Sequence, residues 1–120
     1  MFRTLLAGLV VVAASLAIAS TALSRPAVTT LNGTVGPAFT IKLTKGGVKV
    51  TKLTAGKYKF KIADKSNAHD FSLKGPGMNK HLTGVGFVGN KTVSVTLKKG
   101  KYTYYCSVHP TLMKGSFTVK

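Results

Sequence analysis

The chain has 120 residues, with 18 lysines and arginines against two acids, a formal charge of +16, one cysteine and no tryptophan. That length sets an expectation of one domain, and a single thiol rules out an internal disulfide. The bases are spread evenly, and neither a recognition helix nor a ribonucleoprotein motif accompanies them, which argues against nucleic acid as the partner.

In chain order, Arg3 supplies a short positive start, Leu5 to Ala19 is almost wholly apolar, and Ser20 to Ser24 is small and weakly polar ahead of Arg25-Pro26. Positive start, short apolar core and small-residue exit form the pattern of a secretory signal peptide, predicted over residues 1–24. Cuts after Ala19, Ala22 or Ser24 all satisfy the small-residue rule. The rival is a retained anchor: a spanning helix wants about 20 apolar residues, and Leu5 to Leu23 reaches that only if its serines and threonine are counted. The segment has no twin-arginine pair and no cysteine, which argues against a twin-arginine signal and an N-terminal lipid anchor. Residues 25–120 are then an exported domain, periplasmic, at the cell surface or secreted, and expected to be a monomer.

From residue 25 onward, alternation with period two dominates, in short runs broken by Gly, Pro and Lys-Gly turns. Phe39 to Leu43, Val48 to Val50, and Tyr58 to Ile62 each read as strands with alternate residues inward. His69, Phe71 and Leu73 share a parity and so a face, with His69 opening its strand. Gly75 to Gly89 reads as a long irregular loop or short broken strands. Val93 to Leu97, Tyr102 to Cys106, and Phe117 with Val119 complete the set. About seven or eight antiparallel strands in fewer than a hundred residues predict an all-β, Greek-key β-sandwich.

The chemistry lies near the end. Cys106, His109 and Met113 fall within eight residues where a strand ends and a loop turns back. His69 lies some forty residues upstream, on a segment that a sandwich can bring alongside. Two imidazoles, a thiolate and a weak thioether form the set that selects copper in trigonal geometry with a long axial bond. An exposed free thiol outside the cytoplasm is an oxidation liability, so Cys106 is expected to be buried, ligated or both.

These residues resemble the cupredoxins, the plastocyanin and amicyanin family of blue copper proteins. The resemblance rests on Cys106-x2-His109 followed closely by Met113, on the Gly100-x-Tyr102-x-Tyr104 strand before it, and on His69-Asp70-Phe71 upstream. It implies a single type 1 copper held by His69, Cys106, His109 and an axial Met113, and one-electron shuttling between larger redox proteins. The gap between His109 and Met113 is that of azurin-type loops. Asp70 stands where plastocyanin-like members usually carry Asn, a residue that ties the two ligand loops together. Asp70 is therefore expected to accept bonds from the Ser107 hydroxyl or nearby amides and anchor the site.

The positive field favours an acidic docking partner or an anionic cell surface, although solvent-facing lysines also serve bulk solubility. Copper carriage or sequestration with the same ligands is the main rival function, and Met78 with His81 would suit a second Cu(I) site, although His81 reads first as a surface residue. An enzyme is disfavoured, because no paired His-x-His motif and no second cysteine occur. A Cys–His hydrolase would need a third orienting group, and zinc fits a thioether poorly.

Overall fold

The computed structural model describes Gly8, residues 10–17 and residues 27–120. The leader expected over residues 1–24 therefore falls mostly outside the described residues. Among those described, no helix is long and apolar enough to cross a membrane.

Among the described residues ten strands form: β1 (Thr29–Val35), β2 (Ile41–Lys45), β3 (Val48–Lys49), β4 (Lys52–Leu53), β5 (Gly56–Asp64), β6 (Ser72–Gly75), β7 (Met78–His81), β8 (Gly89–Leu97), β9 (Gly100–Tyr105) and β10 (Lys114–Val119). They build two five-stranded sheets, ordered β3-β2-β1-β5-β8 and β4-β10-β9-β6-β7. The chain leaves the first sheet after β5, returns at β8 and crosses again to β9. That path places β5 beside β8 and β6 beside β9, the crossed connections of a Greek-key sandwich.

Alternation decides which face is buried. In β5, Tyr58, Phe60, Ile62 and Asp64 point inward while Lys57, Lys59 and Lys61 stay in water. Tyr102 and Tyr104 of β9, followed by Cys106, are buried, as are Phe117 and Val119 of β10. Their rings stack in the core: Phe71 on Tyr104 at 5.8 Å, and Tyr102 on Phe117 at 5.4 Å. Each such buried ring contributes on the order of 1.5–3 kcal/mol of transfer free energy, and this band of aromatics forms the floor beneath Cys106.

Several expectations are corrected. The sheets are mixed, because β1 runs parallel to β5 and β4 parallel to β10. The count exceeds seven or eight because β1, β4 and β7 carry weak patterns. In β1 the inward parity is Leu31, Gly33 and Val35, and Gly33 hides the alternation. Gly33 is there because a Cβ would meet Ile62 and Phe71. The stretch from Gly75 to Gly89 is not all loop: Pro76-Gly77 turns β6 into β7, with Gly77 at φ 70°, as a Pro-Gly turn of type II requires. Phe39 is not an inward strand residue. It precedes β2 and is 57% exposed. His69 does not open a strand either, since β6 begins three residues later at Ser72.

Candidate metal centre

Two loops at one end of the sandwich carry the predicted ligands. The first joins β5 to β6 and is held at both ends. Asp64 Oδ1 accepts the Ser66 amide at 3.2 Å, the Ser66 hydroxyl accepts the Ala68 amide at 3.1 Å, and the Thr83 hydroxyl accepts the Phe71 amide at 2.9 Å. His69, 5% exposed, is thereby fixed over the core. The second loop joins β9 to β10. The last ladder pair is Tyr105 with Lys114, and one step beyond it the Cys106 amide donates to the Met113 carbonyl at 3.0 Å. Cys106 and Met113 thus face each other across the mouth of a hairpin, both on the inward parity and both fully buried.

Between them the chain makes two tight turns. The His109 amide donates to the Cys106 carbonyl at 3.1 Å, and the Met113 amide donates to the His109 carbonyl at 3.0 Å. The first turn brings the imidazole back over the thiol. His109 is half-buried, at the edge of the solvent.

The donor atoms converge. His69 Nδ1 and His109 Nδ1 are 3.1 Å apart, and Cys106 Sγ lies 3.8 Å from each. A triangle with those sides has its centre about 2.1 Å from every corner, within the ~2.0–2.3 Å of first-row metal bonds to imidazole and thiolate. Two ring nitrogens facing each other this closely must share a proton or a cation. The three-atom set of two imidazoles and one thiolate, nearly all buried, is a type 1 copper-like site.

Asp70 makes the hydrogen bonds expected of it. Its Oδ1 accepts the Ser107 amide and its Oδ2 the Ser107 hydroxyl, both at 2.6 Å, so the His69 segment is tied to the residue after Cys106. Burial pushes the carboxyl up, but the bonds from the Ser107 hydroxyl and amide, Ser72 and His81 outweigh it, leaving Asp70 below the usual carboxylate range. Asp64 is the opposite case: burial dominates and holds its carboxyl above the usual range, with Oδ2 unpaired.

Two residues near the site carry roles that the sequence did not reveal. The Phe39 ring packs against both imidazoles, 5.5 Å from His69 and 5.0 Å from His109 between centroids. No periodicity signals this, since the contact depends on how the β1–β2 turn meets the ligand loops. His81, taken as a surface residue or a second copper ligand with Met78, has Nδ1 at 2.6 Å from Ser72 Oγ and 3.1 Å from Asp70 Oδ2. Met78 packs against the core. That arrangement makes His81 the surface end of a chain running through Asp70 to Ser107.

A profile of the family described as copper binding proteins, plastocyanin/azurin family, matches residues 17–120. Among solved structures, the chain is similar to the copper protein rusticyanin, with a TM-score of 0.55 and 20% identity over 76% of each chain. It is also similar to auracyanin A, a blue copper protein from the green thermophilic photosynthetic bacterium Chloroflexus aurantiacus (TM-score 0.52, 16% identity, 78% of this chain and 100% of that one). A third match is part of a multi-copper oxidase from Pediococcus acidilactici (TM-score 0.51, 15% identity, 83% of this chain but 28% of that one). At these identities the structural likeness concerns the fold. No curated protein sequence gives a match.

Proposed function

Because this chain belongs to the plastocyanin/azurin family of copper-binding proteins, we propose that it is an exported blue copper protein, a one-electron carrier between redox proteins rather than an enzyme. The observation that carries this reading is the triangle of His69 Nδ1, His109 Nδ1 and Cys106 Sγ, with sides that fit one first-row ion. Copper held there supplies a one-electron couple whose soft thiolate and borderline imidazoles suit both oxidation states.

The remaining work falls to the protein. Cys106 supplies the thiolate from a buried position, so water and oxidants do not reach it. Its strand and loop hydrogen bonds resist movement, which keeps the ligand geometry common to both redox states. Met113, buried across the hairpin mouth from Cys106, would add a thioether as the fourth ligand. His109, half-buried, is the ligand nearest the solvent and so the one a partner would approach. Export follows in this reading from the leader pattern over residues 1–24.

The test is a visible spectrum of residues 25–120 with Cu(II), followed by voltammetry. An intense blue thiolate-to-copper band, lost in Cys106→Ser, together with a reversible one-electron wave, is expected. A colourless protein that binds Cu(I) and hands it to an acceptor would replace the electron carrier with a copper carrier.

A further inference from the structure

A recess of about 470 Å³ opens on the outer face of the second sheet. Its floor follows from the ladder. Thr103 of β9 pairs with Lys74 of β6 on one side and Ser116 of β10 on the other. Two short hydroxyl side chains in adjacent strands leave a trough where longer neighbours stand up around it. Those neighbours are Lys74, Lys101 and Lys114, with Lys49 reaching in from β3 of the other sheet. Lys74 Nζ lies 5.0 Å above the Tyr105 ring, whose hydroxyl donates to Asn79 at 2.7 Å. The wall is therefore ordered as well as charged.

No acid of this chain answers these lysines. Its two acidic side chains, Asp64 and Asp70, are 2% and 1% exposed and are spent in the ligand loops. Four ammonium groups around hydroxyl donors form a site complementary to clustered carboxylates. The recess is also next to the metal centre: Tyr105 precedes Cys106, and Pro110, on its rim, follows His109.

We propose that this lysine-rimmed trough is the docking site for an acidic segment of the protein that exchanges electrons with this one. The identity of the occupant as a redox protein rests on the electron-carrier reading; the carboxylate chemistry does not. An anionic membrane is the weaker occupant. Membrane binding favours a basic face backed by apolar anchors, and here the exposed apolar residues Phe39, Val108 and Leu112 are not among those lining the trough.

The experiment titrates the full-length, Cu(I)-loaded protein with a capped hexaglutamate peptide and follows backbone amide shifts. Shifts centred on Lys74, Thr103, Tyr105 and Ser116 are expected. A K74E/K101E/K114E protein should bind about tenfold or more weakly, while K57E/K59E/K61E, with the same charge change on the outer face of the first sheet, should lose less than about threefold. The blue band regained when a sample of each variant is oxidised to the Cu(II) form shows that it folds, and K74Q/K101Q/K114Q, expected to weaken by about threefold, replaces the reversal if it does not. Equal losses in the two reversed proteins would overturn the proposal, since net charge alone would then explain binding. Inorganic pyrophosphate binding as tightly at the same residues would overturn it in favour of a small oxyanion site. Trough-dependent binding to phosphatidylglycerol vesicles but not to the peptide would overturn it in favour of a membrane. Failure of any of these kinds, with reversible copper cycling intact, removes the docking site and leaves the electron carrier standing.

Discussion

Replacing Asp70 tests the link between the two ligand loops. Its carboxylate meets the Ser107 amide and hydroxyl at 2.6 Å each, and Ser72 Oγ and His81 Nδ1 at 3.1 Å each. In D70A, Ser72 and His81 keep each other, because their own contact is 2.6 Å. The two Ser107 groups lose their acceptor. Bonds to a charged acceptor are worth about 1.5–3 kcal/mol each, and water recovers part of that at half-buried Ser107, so the expected loss is about 2–4 kcal/mol. That is a large share of the 5–15 kcal/mol typical of a domain. D70N keeps an acceptor for the Ser107 amide and offers a donor to the hydroxyls, so it should cost only about 1 kcal/mol. Copper affinity should fall about 10–100-fold in D70A, as it does when outer partners of metal ligands are removed. The assay is urea unfolding of the metal-free proteins, with competitive copper titration of the same samples. Because the folded carboxyl titrates below its ordinary value, its stabilisation is fully present above about pH 4 and is lost as pH falls through the lower folded value. The gap between wild type and D70A should therefore hold from neutral pH to about 5 and narrow in stronger acid. A D70A protein within about 1 kcal/mol of wild type at pH 7, with unchanged copper affinity, would refute the reasoning.

Asp64 should show the opposite sign. Its carboxyl is held above the usual range by burial, so the charged form costs stability at neutral pH. D64N should be about 1 kcal/mol more stable than wild type at pH 7, and urea midpoints should converge as pH falls through the raised value. At Gly115 a Cβ would meet the Tyr104 ring, which stacks on Phe71 and Phe117. G115A should therefore cost about 1–3 kcal/mol by overpacking, and a variant as stable as wild type would show that the ring can move aside. Phe39 covers both imidazoles while remaining 57% exposed. F39A should leave stability nearly unchanged but speed copper removal by a chelator about 2–10-fold, the equivalent of one aromatic contact; an unchanged rate would show that the ring shields nothing.

Much of the site was legible because its signals are local. Cys106, His109 and Met113 are close in sequence, and alternation through Tyr102 and Tyr104 places Cys106 on the buried face, as observed. The role of Asp70 could be anticipated because it adjoins His69 and has short-range hydrogen-bonding chemistry. Phe39 was misread for the same reason that the others were read correctly. Alternation extended across Phe39 to Leu43, but the turn before β2 lifts Phe39 out of the ladder. The β1 strand was missed because Gly33 occupies the position where an apolar residue would have completed its pattern.

By itself, then, the sequence determined which face is buried in the strands that alternate clearly, the types and order of the candidate metal-binding residues, and the excess of positive charge. These follow from side-chain period and composition, which neighbours along the chain decide. Only the tertiary structure decided that β1 runs parallel to β5, that His69 Nδ1 comes to 3.8 Å from Cys106 Sγ, and that Lys74, Lys101 and Lys114 ring one trough. Those are facts of register between strands far apart in sequence. Register is set by which apolar faces close the core together, a property of all the strands at once that no local run of residues encodes.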